Sequence, residues 1–477
     1  MDPTRDTENA ARYDQSAPNY SSAGSTTGRL TSDAHSHLET SSNQESLFSY
    51  YSARDLSEFF KKIDGRNYNV LNDSYFLPNG KSSVPWSRFL SDSPVADEPE
   101  WERLILDPSE KEHIAFIIGL KSLVPCPDIV NACLAPGPSR SVLDLGCGTG
   151  TWALEMAREY PHANVIGVDL APTPIDIDNT PSNCRFELDD VNMGLAHFYD
   201  SFDVVHARFI SSGVKDYRKM MEEAERCLKP GGVAIFVDYD ALFCAEDQLH
   251  RQPMAETNEN GSWLVRCSHE MRHGAPARGC DLPGMEKALD EGLWDHEICD
   301  PETAVAASFF LPIGPWPTVP DRRKTEEMRF AGALIRQDYT SAFRAVIPIY
   351  LKMGIPQDVI DRWIPNVENE LSTTTLHMWS RSPMAWARRR AAPGKPAPPL
   401  PTLPASNNDE KSTATPNPAT SDVHRDLKDY NFLHIYRTKE ECAAAATLRN
   451  ASLGPVPVPW VVKAQQKAEA QGVPSSS

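Results

Sequence analysis

From residue 141 onward, short apolar runs alternate with amphipathic stretches along the chain. The run SVLDLG predicts a buried strand, and TGTWALEMAREY predicts a helix because Trp152, Met156 and Tyr160 recur at a spacing of four. Trp152 is expected to lie in the core. Four further runs predict strands: ANVIGVDL, CRFELDDV, SFDVVHARF and GGVAIFVDYD. Strands that alternate with helical patterns are typical of parallel β-α-β units, so the sequence predicts an α/β domain.

The segments before and after this alternating region differ from it in composition and in predicted structure. Its start is rich in Ser, Thr, Asn and Asp, a composition that buries too little apolar surface to fold. Helices are predicted before residue 141 by stretches such as SARDLSEFFKKI and EPEWERLILDPSEKEHIAFIIGLKSL. Eight prolines between Pro393 and Pro418 predict an extended linker after the alternating region. We therefore expect a disordered tail over 1–48, a helical cap over 49–135, an α/β domain over 136–390 with a polar insertion at about 241–282, a linker over 391–425, and a partly disordered extension over 426–477 that contributes a strand or a short helix.

Three glycines follow the first predicted strand directly, at positions 146, 148 and 150. Glycines cluster in this way where the backbone bends sharply or where a ligand comes close to it. A dinucleotide site requires G-x-G-x-x-G, but the third glycine comes one residue early here and Thr151 stands in its place. This spacing weakens, but leaves open, a nicotinamide or flavin site.

Acidic residues end the first three predicted strands. S-adenosylmethionine carries an amino group, a sulfonium cation and two ribose hydroxyls but no phosphate, so carboxylates suit it better than they suit a pyrophosphate. We expect Asp144 to face the amino end and Asp169 to accept from both ribose hydroxyls. Either Asp189 or Asp190 would accept from the adenine amino group, and the spacing to the next strand slightly favours Asp190. The predicted cofactor site comprises Asp144, Gly146, Gly148, Gly150, Asp169, Leu170, Asp189, Asp190, Val191 and Arg208.

The motifs VLDLGCGTG, GVDL, FELDDV, FDVVHAR and LKPGG together resemble the class I, Rossmann-like S-adenosylmethionine-dependent methyltransferases. The longer stretches GTGTWALEMAREYPHANVIGVDLAPTP and SFDVVHARFISSGVKDYRKMMEEAERCLKPGG further resemble the fungal LaeA-like methyltransferases. The resemblance implies a seven-stranded, mostly parallel sheet that binds S-adenosylmethionine. Because the LaeA-like group is associated with the velvet complex and with control of secondary metabolism, it also implies regulatory partners of velvet type.

Two functions of different kinds follow. The first is methyl transfer from S-adenosylmethionine to a small-molecule or protein acceptor that the sequence does not identify. The second is a regulatory scaffold in a nuclear velvet-type complex, with little or no catalysis of its own.

The sequence identifies no catalytic residue. A sulfonium is a good leaving group, so the protein mainly supplies proximity, alignment and exclusion of water. Asp238, Tyr239 and Asp240 end the fifth predicted strand and are candidate general bases. His206 and Arg208 end the fourth, at the edge where open α/β sheets bind ligands, so one of them faces the substrate or both make local hydrogen bonds.

Composition and charge argue against several classes of protein and favour one kind of compartment. A formal net charge of -19 argues against direct binding to nucleic acid. The chain begins without the basic and apolar regions of a signal peptide, and its apolar runs are too short to cross a membrane. Ten cysteines without a C-x-x-C pair argue against a disulfide framework. We therefore expect an intracellular protein, nuclear or cytoplasmic or both.

Two further patterns are weak. A group of cysteines and histidines matches no common zinc spacing, so no metal site is expected. The basic run Arg388-Arg389-Arg390 resembles a nuclear-import signal, but a basic end of an element before a proline-rich linker accounts for it equally well. The cysteine and histidine group comprises Cys267, His269, His273, Cys280, His296 and Cys299.

Overall fold

A computed structural model of the chain describes most residues between 108 and 466, and the backbone of two short strands before them. The gaps within that range are 175–179, 256–257, 259, 374, 402–427, 429, 454–455, 461 and 464–465. The predictions for the tail over 1–48 and for most of the proline-rich linker fall outside the described residues.

The two early strands, β1 (Phe60–Ile63) and β2 (Arg66–Asn69), pair antiparallel with Phe60 opposite Asn69. The helix predicted through SARDLSEFFKKI is therefore wrong at residues 60–63. Asp64-Gly65 stands between the two strands in the sequence, and Asp-Gly is a common pair in two-residue hairpin turns. The cap is helical from residue 108 onward, with α1 (Pro108–Leu120) and α2 (Pro127–Cys133).

The central sheet confirms the predicted α/β class. Five strands form its parallel half, in the spatial order β5-β4-β3-β6-β7, and three antiparallel strands continue it as β9-β8-β10. The strands are β3 (Ser141–Leu145), β4 (Asn164–Asp169), β5 (Cys184–Leu188), β6 (Phe202–Arg208), β7 (Leu228–Val237), β8 (Val305–Pro312), β9 (Trp379–Arg388) and β10 (Leu433–Tyr436).

The sheet has eight strands where seven were predicted. The additional strand is β10, which pairs antiparallel with β8 and places Leu433 opposite Phe309. It is followed by the helix α10 (Lys439–Ala451). In the sequence, β10 lies beyond the proline-rich stretch. Because it pairs with β8, the predicted C-terminal extension contributes a strand to the same sheet as the predicted domain over 136–390.

Helices cover both faces of the sheet. Strand residues alternate between two apolar clusters, with Val142 in one and Leu143 in the other, because successive side chains of a strand point to opposite faces. The predicted insertion contains α5, whose Leu264 and Cys267 lie in the core. The helices after α2 are α3 (Thr151–Glu159), α4 (Tyr217–Arg226), α5 (Trp263–Gly274), α6 (Leu282–Glu291), α7 (Arg322–Ala345), α8 (Ile347–Lys352) and α9 (Gln357–Ser372).

Candidate cofactor site at the carboxyl edge of the sheet

The three glycines form the turn between β3 and α3. Gly146, Gly148 and Gly150 have φ angles of +68°, +55° and +77°, a left-handed conformation that disfavours other residues. A Cβ atom at Gly146 would lie 2.2 Å from Ile210, and one at Gly150 would lie 2.7 Å from Phe186. A Cβ atom at Gly148 would meet nothing within 4 Å. The loop is therefore packed at both ends, and its middle faces open space that a ligand can enter.

Asp169 ends β4 directly beside this loop. Its Oδ2 accepts a hydrogen bond from the backbone N–H of Gly148 at 2.8 Å, and its Oδ1 accepts from that of Ala171 at 3.0 Å. Burial raises the pKa of Asp169, although these backbone hydrogen bonds oppose the change. Asp169 is partly exposed as a residue and each of its carboxylate oxygens has a second lone pair, so it can accept further hydrogen bonds. Leu170 follows it and is also partly exposed.

Asp144 is buried against His206, its neighbour in the pairing of β3 with β6. His206 Nδ1 lies 2.8 Å from Asp144 Oδ1 and donates to it, since a carboxylate can only accept. The imidazole of His206 stacks on Trp152 with 3.8 Å between ring centroids. Trp152 is 3% exposed and donates from Nε1 to the carbonyl of Leu123, so it is a core residue as expected. Asp144 thus anchors the inner wall of the site through His206.

The acidic pair after β5 folds into a tight turn. Asp189 Oδ1 accepts from the backbone N–H of Asp190, and Asp189 Oδ2 lies 2.9 Å from His197 Nε2. Asp190 caps a 3-10 turn, accepting at Oδ1 from both the backbone and the side chain of Asn192. Val191 begins that turn and packs at the edge of the second apolar cluster. Both carboxylates therefore hold local structure, and the choice between them for the adenine position stays open.

Arg208 ends β6 and reaches the cap helix α1. Its Nη2 donates to His113 Nδ1 at 2.8 Å, and its guanidinium lies over the rings of Phe116 and Phe209. His113 Nε2 in turn lies 3.1 Å from Glu155 Oε2 on α3. His113 and Glu155 were not predicted as site residues from the sequence. The only signal for them is a polar residue within the buried run HIAFIIGL and an acid on the buried side of α3.

The candidate bases after β7 lie in different environments. Asp238 is buried and accepts from both the hydroxyl and the backbone N–H of Ser211, and burial raises its pKa to about 6. Asp240 forms a buried ion pair with Arg381, which serves the packing of β9. Tyr239 is partly exposed beside Phe209. None of these contacts singles out one residue as the base.

Residues of the cysteine and histidine group and of the basic run make local contacts in the structure. All ten cysteines are buried and free of disulfide bonds. Within the described residues, no three His, Cys, Asp or Glu side chains are arranged to hold a metal ion. His296 donates to Glu225 at 2.6 Å, and Arg388 lies inside β9, where it donates to the carbonyls of Gly231 and Pro398. Each described helix is too short or too polar to cross a bilayer.

Comparison with known proteins identifies relatives of this chain. The profile of a methyltransferase domain family matches residues 122–278. The secondary metabolism regulator laeA of Coprinopsis cinerea is 32% identical over 62% of this chain and 70% of its own length. Methyltransferase pytC of Aspergillus terreus is 28% identical over 43% of this chain and 57% of its own length. The protein-methionine methyltransferase laeA of Emericella nidulans is 41% identical over 39% of this chain and 42% of its own length.

The sheet order, the glycine turn and the profile match define a class I, Rossmann-like methyltransferase, a class of domain that uses S-adenosylmethionine. Within that class, the extent of the match to the Coprinopsis cinerea protein is decisive. The chain belongs to the LaeA-like family of methyltransferases.

Solved structures are more distant. Phosphoethanolamine N-methyltransferase 2 of Haemonchus contortus has a TM-score of 0.31 and 17% identity, covering 61% of this chain and 59% of its own. The YcgJ protein of Bacillus subtilis has a TM-score of 0.30 and 17% identity, covering 56% of this chain and 97% of its own. These scores are too low to carry an argument.

Proposed function

We propose that this protein transfers the methyl group of S-adenosylmethionine to a small-molecule or protein acceptor. The observation that carries the proposal is the joint geometry of Gly148 and Asp169. A left-handed glycine faces open space, and a carboxylate beside it is held by two backbone N–H groups. Oxygen acceptors fixed next to an accessible backbone suit the vicinal hydroxyls of a ribose, and they disfavour a pyrophosphate.

The residues present fit the cofactor, and each would have a separate task. Asp169 would accept from the ribose hydroxyls, Gly146 and Gly148 would let the ligand approach the backbone, and Asp189 or Asp190 would accept from the adenine amino group. When bound, the cofactor supplies an activated methyl group on a positively charged sulfur. Asp144, which is buried beside His206 at the end of β3, would face the amino end of the cofactor directly or through water.

Calorimetric titration with S-adenosylmethionine and S-adenosylhomocysteine tests the proposal. Asp169→Ala should weaken the affinity for both by about 1–3 kcal/mol, because it removes a charged hydrogen-bond acceptor. Asp169→Asn tests whether the charge itself matters, since it preserves the size of the side chain. The matched control is Asp358→Ala on α9, whose side chain is 80% exposed. If the wild-type protein binds neither compound, the proposed function is wrong.

A second function is favoured by laeA proteins among the relatives, since that of Coprinopsis cinerea is named a secondary metabolism regulator. In this view the chain acts as a regulatory scaffold with velvet-type protein partners, in the nucleus or in both nucleus and cytoplasm. Affinity purification of the tagged protein together with its microscopic localisation tests this role. Recovery of the protein alone from cells, with no nuclear signal, would contradict it. The two functions are compatible, because a regulator can keep a working cofactor site.

A further inference from the structure

Arg208 occupies a particular place at the edge of the sheet. The register of β3 with β6 places Asp144 beside His206 and Leu145 beside Ala207. The next position along each strand puts Arg208 level with Gly146, where the glycine turn begins. Since strand side chains alternate, Arg208 lies on the same face of the sheet as His206, the face that α1 and α3 cover.

The guanidinium of Arg208 has few hydrogen-bond acceptors around it in the protein. Among the described residues it makes one hydrogen bond, to His113 Nδ1, and its remaining close contacts are the rings of Phe116 and Phe209. It forms no ion pair with any described carboxylate. A guanidinium has five N–H donors, and a partly buried one such as Arg208 carries a desolvation cost that no paired anion offsets. An arriving anion would offset that cost.

The charged groups around Arg208 are engaged elsewhere. Asp144 accepts from His206, and Glu155 accepts from His113. Glu112 also lies within electrostatic reach, but burial and the nearby Asp338 carboxylate raise its pKa well above the usual range, which favours its neutral form. Asp144 and Glu155 stabilise the cation at a distance, and a direct partner is left to be supplied by the ligand.

His113 fixes the direction of the guanidinium. Because an arginine can only donate, Nδ1 of His113 must be the unprotonated nitrogen, and Nε2 carries the proton that Glu155 accepts. Burial and the nearby Arg208 charge also lower the pKa of His113, which keeps the ring neutral. The chain of contacts from Glu155 through His113 to Arg208 therefore links α3, the cap helix α1 and the end of β6.

We propose that Arg208 binds the carboxylate of the cofactor's methionine moiety and that His113, a positioning residue on the cap, orients it. This inference rests on the proposed function and assigns one end of the same site. With the ribose at Asp169, the methionine end of the cofactor lies towards β3 and β6, where Arg208 stands level with the glycine turn. The α-carboxylate is the only anionic group of S-adenosylmethionine, and it matches an arginine lacking an anion.

The test compares S-adenosylmethionine with decarboxylated S-adenosylmethionine, which lacks only that carboxylate. Competition binding to the full chain gives the ratio of the two dissociation constants. We expect the wild-type protein to prefer the carboxylated compound by about tenfold to a hundredfold, the size of a charge-assisted pair of hydrogen bonds. In Arg208→Gln the preference should fall to about one, while the affinity for the decarboxylated compound stays within about threefold of wild type.

Variants at His113 separate positioning from folding. His113→Asn places an amide oxygen near the position of Nδ1 and should retain most of the preference, whereas His113→Leu should lose part of it. A preference that persists in Arg208→Gln would overturn the inference, and so would an equal loss of affinity for both compounds. If the wild-type protein binds neither compound, the proposed function fails and not merely this part of it. Thermal unfolding of each variant without ligand shows whether its fold is intact.

Discussion

The parallel and antiparallel halves of the sheet use polar residues in opposite ways. At the edge of the parallel half, Asp169 is held by backbone N–H groups and Arg208 by a neutral imidazole, so neither charge is neutralised by a side chain of opposite charge. In the antiparallel half, Arg381 pairs with Asp240 and Asp290, and Asp290 also pairs with Arg449 of α10. In the proposed cofactor site the charges are oriented by neutral groups, whereas the charges of the antiparallel half neutralise one another.

The largest expected effect is on the antiparallel half. Asp290→Ala leaves Arg449 and one side of Arg381 buried without their shared carboxylate, and Arg381 is 1% exposed. Removing one partner of a buried network should cost about 3–5 kcal/mol of unfolding free energy, measured by urea denaturation. The control Asp358→Ala removes an exposed pair whose closest atoms are 3.9 Å apart, and it should cost at most about 0.5 kcal/mol. Equal losses in the two variants would break the comparison.

The next largest expected effect is a dependence of folding stability on pH. Burial raises the pKa of Asp238 from 3.8 to about 6, so the folded state holds this proton more tightly than the unfolded state does. Stability should therefore decline as the pH rises from about 4 to about 6 and then level off, with a contribution of about 3 kcal/mol from this residue. In Asp238→Asn that part of the decline should be absent. Urea denaturation at several pH values measures it, and an unchanged difference between the two proteins across this range would contradict the assignment.

The smallest effect sharpens the description of the ligand edge. Gly148→Ala introduces a Cβ atom that touches nothing, so its cost in stability should be only the left-handed backbone strain of about 1–2 kcal/mol. Cofactor affinity should fall as well, because the methyl group occupies the space that the ligand would enter. In Gly150→Ala the new atom also meets Phe186 and Thr173, so its loss of stability should be greater. Calorimetry and thermal unfolding of both variants separate the two effects.

The sequence predicts the site best where its parts are close along the chain. The glycines and Asp169 belong to one β-α-β unit, and their spacing alone brings them together. The contact between His113 and Arg208 joins residues 95 positions apart, and it depends on how α1 packs, which no motif encodes. Asp144 could be placed at the edge of the sheet, but its partner His206 follows only from the register of β3 with β6.

The sequence predicts a strand or a short helix in the extension over 426–477, but it does not predict that the strand pairs with β8, for a related reason. Four residues with a weak pattern, beyond a proline-rich stretch, give little local indication of pairing. The partner of β10 is β8, more than a hundred positions earlier in the chain. In the early segment, by contrast, the Asp64-Gly65 pair was a local signal of a hairpin that the helical interpretation of SARDLSEFFKKI overlooked.

The attachment of β10 and α10 has a practical consequence for anyone who shortens this protein. A fragment that stops in the proline-rich stretch looks complete by sequence motifs, yet it would expose the backbone of β8 along one margin. An exposed edge strand can pair with strands of other chains, so we expect such a fragment to aggregate. Expression boundaries are better placed after Trp460, which packs against the core and whose backbone N–H donates to Glu270 on α5.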